Sequence, residues 1–196
     1  EVLREGKAVS TLLGRAVQQG QVVTIVQGSF GAGRSSLIDV PAQPPVEMKA
    51  LAEAAPELPY IKGVTPEFMR NVALRWTLGG LPFSGNTSRQ MGGWVRLRDV
   101  PEEAATEAHL LALVDAWPPV SLTLLNQPAP ASSLTWTIEF IQPHQDADSK
   151  ASTTDWWSYL ASIEHGADGY HHIEAKLWQP DGQLAAISRQ TVTVFA

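Results

Sequence analysis

Apolar and polar residues alternate from the beginning of the chain. Lys7 to Gln18 and Val22 to Phe30 read as two strands joined by a turn at Gly20-Gln21, a long antiparallel hairpin. A lone hairpin is marginal in water, so it is expected to pack on a further surface. Either the C-terminal part supplies that surface, or residues that precede Glu1 in the natural protein do. Residues 34–65 break the alternation: Pro41, Pro44, Pro45, Pro56 and Pro59 recur there, followed by Pro66. Proline at this density interrupts both helices and central strands. The stretch reads as a linker laid along the surface, with one short helical candidate around Met48 to Ala55.

From Glu67 onward the pattern is that of one α+β unit. Phe68 to Thr77 and Gly92 to Arg98 predict strands, and Glu102 to Val114 predicts a helix. Pro101 and two glutamates suit the first turn of that helix and its dipole. Leu110 to Val114 is apolar nearly all round, so the helix is expected to be buried, and Pro118-Pro119 ends it. Ser133 to Gln142, Asp155 to Glu164, Tyr170 to Trp178 and Leu184 to Phe195 predict four more strands, with Asp181-Gly182 turning the last pair. Two strands, a buried helix and four strands make an antiparallel sheet wrapped around a central helix. Gly6 to Phe30 and Gly169 to Phe195 also echo each other, Gln19-Gly20-Gln21 matching Asp181-Gly182-Gln183. The echo predicts a tandem duplication in which only the closing strands of the first copy are present.

Composition narrows the classes of function. The 196 residues suit one large domain or two small ones, and 44% hydrophobic content supplies a core. Only 17% of residues are charged, against about 25% ordinarily, which points to surface buried against a partner or a second domain. A net charge of −6 with 14 scattered Lys and Arg argues against nucleic acid. Arg96 and Arg98, the tightest basic group, read as a solvated strand face. The absence of Cys excludes disulfides, thiolate metal sites and a Cys nucleophile. No run approaches the ~20 apolar residues that cross a bilayer, and the first residues lack the features of a signal peptide. A cytoplasmic protein with no membrane partner is the expectation.

Three stretches, in order, resemble the acyl-CoA thioesterase II family: Leu111-Ala-Leu-Val-Asp115-Ala-Trp-Pro118, Ser133-Leu-Thr-Trp-Thr-Ile-Glu-Phe140 followed by Pro143, and Gly182-Gln-Leu-Ala-Ala-Ile-Ser-Arg-Gln190. The resemblance spans residues 66–196 and implies a tandem double hotdog fold. Residues 1–33 would be the closing strands of a partial first hotdog, 34–65 the linker and 66–196 the second hotdog. It further implies hydrolysis of acyl-CoA or similar acyl thioesters without cofactor or metal, and association into a homo-oligomer, which the low charge fits. The hydrolytic water would be held by Asp115, Gln190 and Ser133.

Each of these residues also has a reading of its own. Asp115 ends the predicted helix, where the dipole disfavours a carboxylate, and it follows an apolar turn, so desolvation would raise its pKa towards that of a general base. The alternative is an Asp capping the Trp117-Pro118-Pro119 turn. Gln190 shares the apolar face of the last strand with Leu184, Ala186, Ser188, Val192 and Val194. An amide there needs a definite partner, either a water or substrate carbonyl, or backbone. Ser133 falls on the face opposite Leu134, Trp136, Ile138 and Phe140 unless a bulge at the strand's start redirects it; Ser132 could substitute, and a plain turn residue is the alternative.

Other candidates carry less. Gly28 to Ser36 is glycine-rich but lacks the Gly-Lys-Ser/Thr ending of a phosphate loop. His171 and His172 are neighbours on a strand and face opposite ways, so they cannot chelate one metal. Trp117, Trp156, Trp157 and Trp178 read as core more than as an acyl tunnel. Two further functions compete: a non-catalytic acyl-thioester binder or oligomer scaffold, and a hydroxyacyl-thioester dehydratase. The latter family pairs its Asp with a His five positions on, where this chain has Val120.

Overall fold

The computed structural model describes residues 1–38, 40–42, 49–141 and 151–196. It divides into two units, residues 1–41 and 42–196. The first is a three-stranded antiparallel sheet, β1 (Val2–Glu5), β2 (Val9–Gln18) and β3 (Gln21–Gly31), in the order β1-β2-β3. The hairpin reverses at Gln19-Gly20, one residue earlier than expected, with φ of 51° and 79°. Two left-handed residues make the tight turn whose twist matches paired strands. β1, with four residues, is too short to announce itself by periodicity. Ile25, Val26 and Phe30 of β3 remain about three-fifths exposed, at 62%, 63% and 62%. Gly28 to Gly31 complete β3, and residues 32–38 leave it without helical structure.

The second unit contains β4 (Val72–Leu78), β5 (Gln90–Leu97), α1 (Glu107–Asp115), β6 (Ala131–Phe140), β7 (Trp157–Ala167), β8 (Tyr170–Trp178) and β9 (Leu184–Val194). Its strands form one antiparallel sheet in the order β4-β5-β7-β8-β9-β6. Leu110, Leu113 and Val114 of the helix join the core that this sheet builds. Gln142 and Pro143 lie outside the described residues, as do Pro44, Pro45 and Met48.

Several boundaries differ from the sequence pattern, each for a local reason. Phe68 does not start a strand, because Glu67–Arg70 coils into a 3-10 turn held by an Arg70–Glu67 ion pair at 2.8 Å. The helix starts at Glu107, not Glu102. Ala105 N–H donates to the Ala151 carbonyl at 3.1 Å and Thr153 N–H to that of Glu103 at 3.0 Å, which keeps 103–105 extended. Thr106 is the N-cap; its own N–H donates to His109 Nδ1 at 3.1 Å, the role a Glu or Gln ordinarily takes in a capping box. Nor is the helix buried all round: Leu111 is 39% exposed, and Ala108, Ala112 and Asp115 share its open side. Asp168-Gly169, with φ of 51° and 80°, makes a two-residue turn between β7 and β8, whose flanking residues Ala167 and Tyr170 pair. Asp181-Gly182 turns β8 into β9 as predicted, through a longer reversal closed by Gln179 N–H on the Gln183 carbonyl at 2.8 Å.

Residues 49–60 line edge strand β4. Ala55 and Leu58 N–H groups donate to the Trp76 and Leu74 carbonyls at 3.0 and 2.9 Å, and Arg75 Nε donates to the Ala55 carbonyl at 2.9 Å. Arg96 and Arg98 are therefore not a merely solvated face. Both pair with Glu57, at 3.2 and 3.0 Å, and fasten this segment over a strand edge that would otherwise present unpaired backbone.

One row of the sheet explains how the chain leaving α1 is seated. Trp76, Gly93 and Tyr159 are direct partners across β4, β5 and β7. Trp76 and Tyr159 stand two strand spacings apart, about 9.5 Å, with no side chain between them. Trp117 fills the gap, its ring 4.8 Å from that of Trp76 and 4.9 Å from that of Tyr159, stacked on the latter at 6°. A Cβ at Gly93 would run into the Arg75 carbonyl oxygen, so no other residue fits there. Trp157 and Trp178 are core residues too, at 0% and 2% exposed.

Candidate active site

The last strand places Gln190 as its alternation predicts. Ser188, Val192 and Val194 on the same face are buried, and Gln190 itself is half-buried. Its direct partners are Ile173 on β8 and Trp136 on β6. Trp136 Nε1 donates to Ser188 Oγ at 2.8 Å, fixing edge strand β6 against β9.

Ser133 reaches this face through a break in register. Pairing runs Trp136–Gln190, Thr135–Thr191 and then Ser133–Val192, so Leu134 is the extra residue of a β-bulge. Leu134 turns outward at 60% exposed, and Ser133 moves to the side of Gln190. The strand begins at Ala131, so the bulge lies inside it and not at its first residue. Gln190 Nε2 donates to Ser133 Oγ at 2.6 Å. Ser132 pairs with Thr193 instead, away from the site. The Gln190 partner is thus a side chain, not backbone, and its Oε1 makes no hydrogen bond among the described residues.

Asp115 is the last residue of α1, between buried Val114 and Ala116. It is an exposed residue, contrary to the expectation of a position near the core, and shares the open side of the helix with Ala108, Leu111 and Ala112. Partial burial still pushes the carboxyl above its ordinary value. It caps no turn: among the described residues it makes no hydrogen bond or ion pair. Burial raises the Tyr159 phenol well above its ordinary pKa, and the charge of Asp115 adds to that rise. The structure therefore joins Gln190 to Ser133 directly and joins Asp115 to neither. Val120, five residues after Asp115, is fully buried at the start of a 3-10 turn. Among the described residues no group of His, Asp and Glu could hold a metal ion, and no helix is long and apolar enough to cross a membrane.

His171 escaped the sequence reading as a candidate for this face. It pairs with Val192 on β9 and Gly166 on β7, which sets it on the inner side, while His172 points outward to Thr191, 3.2 Å away. The alternation of β8 carries that signal, since Ile173, Ala175 and Leu177 are the buried set.

A six-stranded antiparallel sheet curled about one helix is a hotdog fold, and the site lies between its last strand and its edge. The chain belongs to the acyl-CoA thioesterase C-terminal domain family, whose profile matches residues 52–194. A hotdog protein of unknown function from Alicyclobacillus acidocaldarius is similar over 100% of this chain and 72% of its own, with 23% identity and a TM-score of 0.83. A thioesterase II from Thermobifida fusca, described as putative, matches 100% of this chain and 71% of its own at 20% identity and TM-score 0.78. Acyl-CoA thioesterase II TesB2 from Mycobacterium marinum matches 100% and 72% at 18% identity and TM-score 0.72. No curated protein matches the chain.

Proposed function

We propose that this chain hydrolyses acyl-CoA or related acyl thioesters to a free acid and a thiol. Water held by Gln190 and Ser133 attacks the thioester carbonyl carbon while Asp115 takes a proton from it. The tetrahedral intermediate then collapses, the carbon–sulfur bond breaks, and the thiolate leaves and recovers the proton. The observation that carries this reading is the 2.6 Å contact between Gln190 and Ser133, formed on a mostly apolar face by a bulge. An amide and a hydroxyl on such a face hold a polar reactant in one orientation, and Gln190 Oε1 is open to accept from it.

The test is release of free thiol from acetyl-, hexanoyl- and palmitoyl-CoA. Gln190→Ala is expected to lower turnover at least about tenfold, because a misplaced water loses the near-attack geometry. Ser132→Ala, one residue from the site, is expected to leave it unchanged. Thiol release at the blank rate from all three substrates would defeat the proposal. The lack of a hydrogen bond from Asp115 to the Gln190–Ser133 pair favours a second reading, an acyl-thioester binder without turnover. Saturable binding of hexanoyl-CoA with no thiol release would select it.

A further inference from the structure

Val192 is flanked on the inner face by Ser133 on one side and His171 on the other, both as direct cross-strand partners. Gln190 is the next inward residue of the same strand, diagonal to His171, a separation of about 7–8 Å that long side chains bridge. Three polar side chains thus surround one valine on a face that is otherwise mostly apolar. His171 Nδ1 is buried and, among the described residues, has no hydrogen-bond partner. The ring lies over Gly166 opposite, where a Cβ would meet His171 Cδ2, so the glycine leaves room for the imidazole on this face. A buried nitrogen without a partner costs about 1–3 kcal/mol, and retaining one beside a polar pair calls for a group that arrives later.

We propose that His171 is a substrate-contacting residue of the Gln190–Ser133 site, hydrogen-bonding the bound acyl thioester through its neutral imidazole. Burial and the neighbouring His172 hold its pKa below the ordinary histidine value, which favours the uncharged ring. A neutral ring offers one donor and one acceptor, matched to a thioester carbonyl or a carrier amide. This role rests on the thioester chemistry proposed above.

His171→Phe keeps a ring while removing both nitrogens. Loss of an unpaired buried polar atom is neutral or stabilising, so the melting temperature is expected to stay level or rise while kcat/KM for hexanoyl-CoA falls about tenfold. His171→Gln, which restores a donor and an acceptor, is expected to recover part of that loss. A melting temperature and a kcat/KM that fall together in His171→Phe, or an unchanged kcat/KM, would overturn the proposal. Imidazole resonances of the wild-type chain, titrated with hexanoyl-CoA, supply a readout independent of turnover. Saturating shifts at His171 support the contact, and shifts confined to other residues, or none at millimolar thioester, refute it. That titration separates the two readings, because an inactive but binding chain would defeat hydrolysis and leave His171 in place.

Discussion

Asp115→Ala is expected to lower thioester turnover by about 10²-fold or more, the range that a positioned general base supplies. Asp115→Asn keeps the shape and removes the base, so the same loss is expected from it. Stability moves the other way. Partial burial raises the Asp115 carboxyl above its ordinary value, so folding favours its protonated form. That contribution is complete below the unfolded carboxylate range and is lost as pH rises through the raised value. Asp115→Asn, which cannot ionise, escapes the loss. Urea unfolding of the two proteins between pH 4 and pH 8 should show the variant gaining relative stability as pH rises. A variant that loses both activity and stability at neutral pH would mark Asp115 as a structural residue.

Trp117→Ala is expected to destabilise the second unit by about 3–5 kcal/mol, the cost of removing a large buried aromatic. Its ring, 6% exposed, fills the gap over Gly93 between Trp76 and Tyr159, so its loss leaves a cavity that rigid strands cannot close. Chemical denaturation measures this directly. The turn after α1 is anchored by the same ring, two residues from Asp115, and activity should fall even at temperatures where the variant remains folded. An effect under about 1 kcal/mol, the scale of a surface substitution, would mean that Trp117 does not wedge the helix end against the sheet.

Much of the second unit was legible in its periodicity, because strands buried on one face must repeat every two residues. Leu184 to Val194 shows this clearly: the alternation that hid Val192 and Val194 also assigned Gln190 to the inner face. The helix was legible as an element but not in its limits. Pro101 and two glutamates resemble a helix start, and only pairing with residues 151–153 reveals that this stretch is extended. The resemblance to a known family supplied the roles of Asp115, Gln190 and Ser133, and local chemistry alone left each with a bland alternative.

Local pattern, then, was enough to specify the strands, the turn residues and the inward direction of Gln190, since these depend on neighbours in the chain. Tertiary structure decided three things that depend on partners 19 to 57 residues away. The first is the register slip at Leu134 that carries Ser133 to Gln190, 57 positions on. The second is the seating of Trp117 on Trp76 and Tyr159, 41 and 42 positions away. The third is the placing of His171, inward by the alternation of β8 itself, diagonal to Gln190 of the following strand, 19 positions on. A bulge, a filled gap and a polar cluster are each defined by which strands pair, and pairing is set by the burial of the whole sheet rather than by any single stretch of sequence.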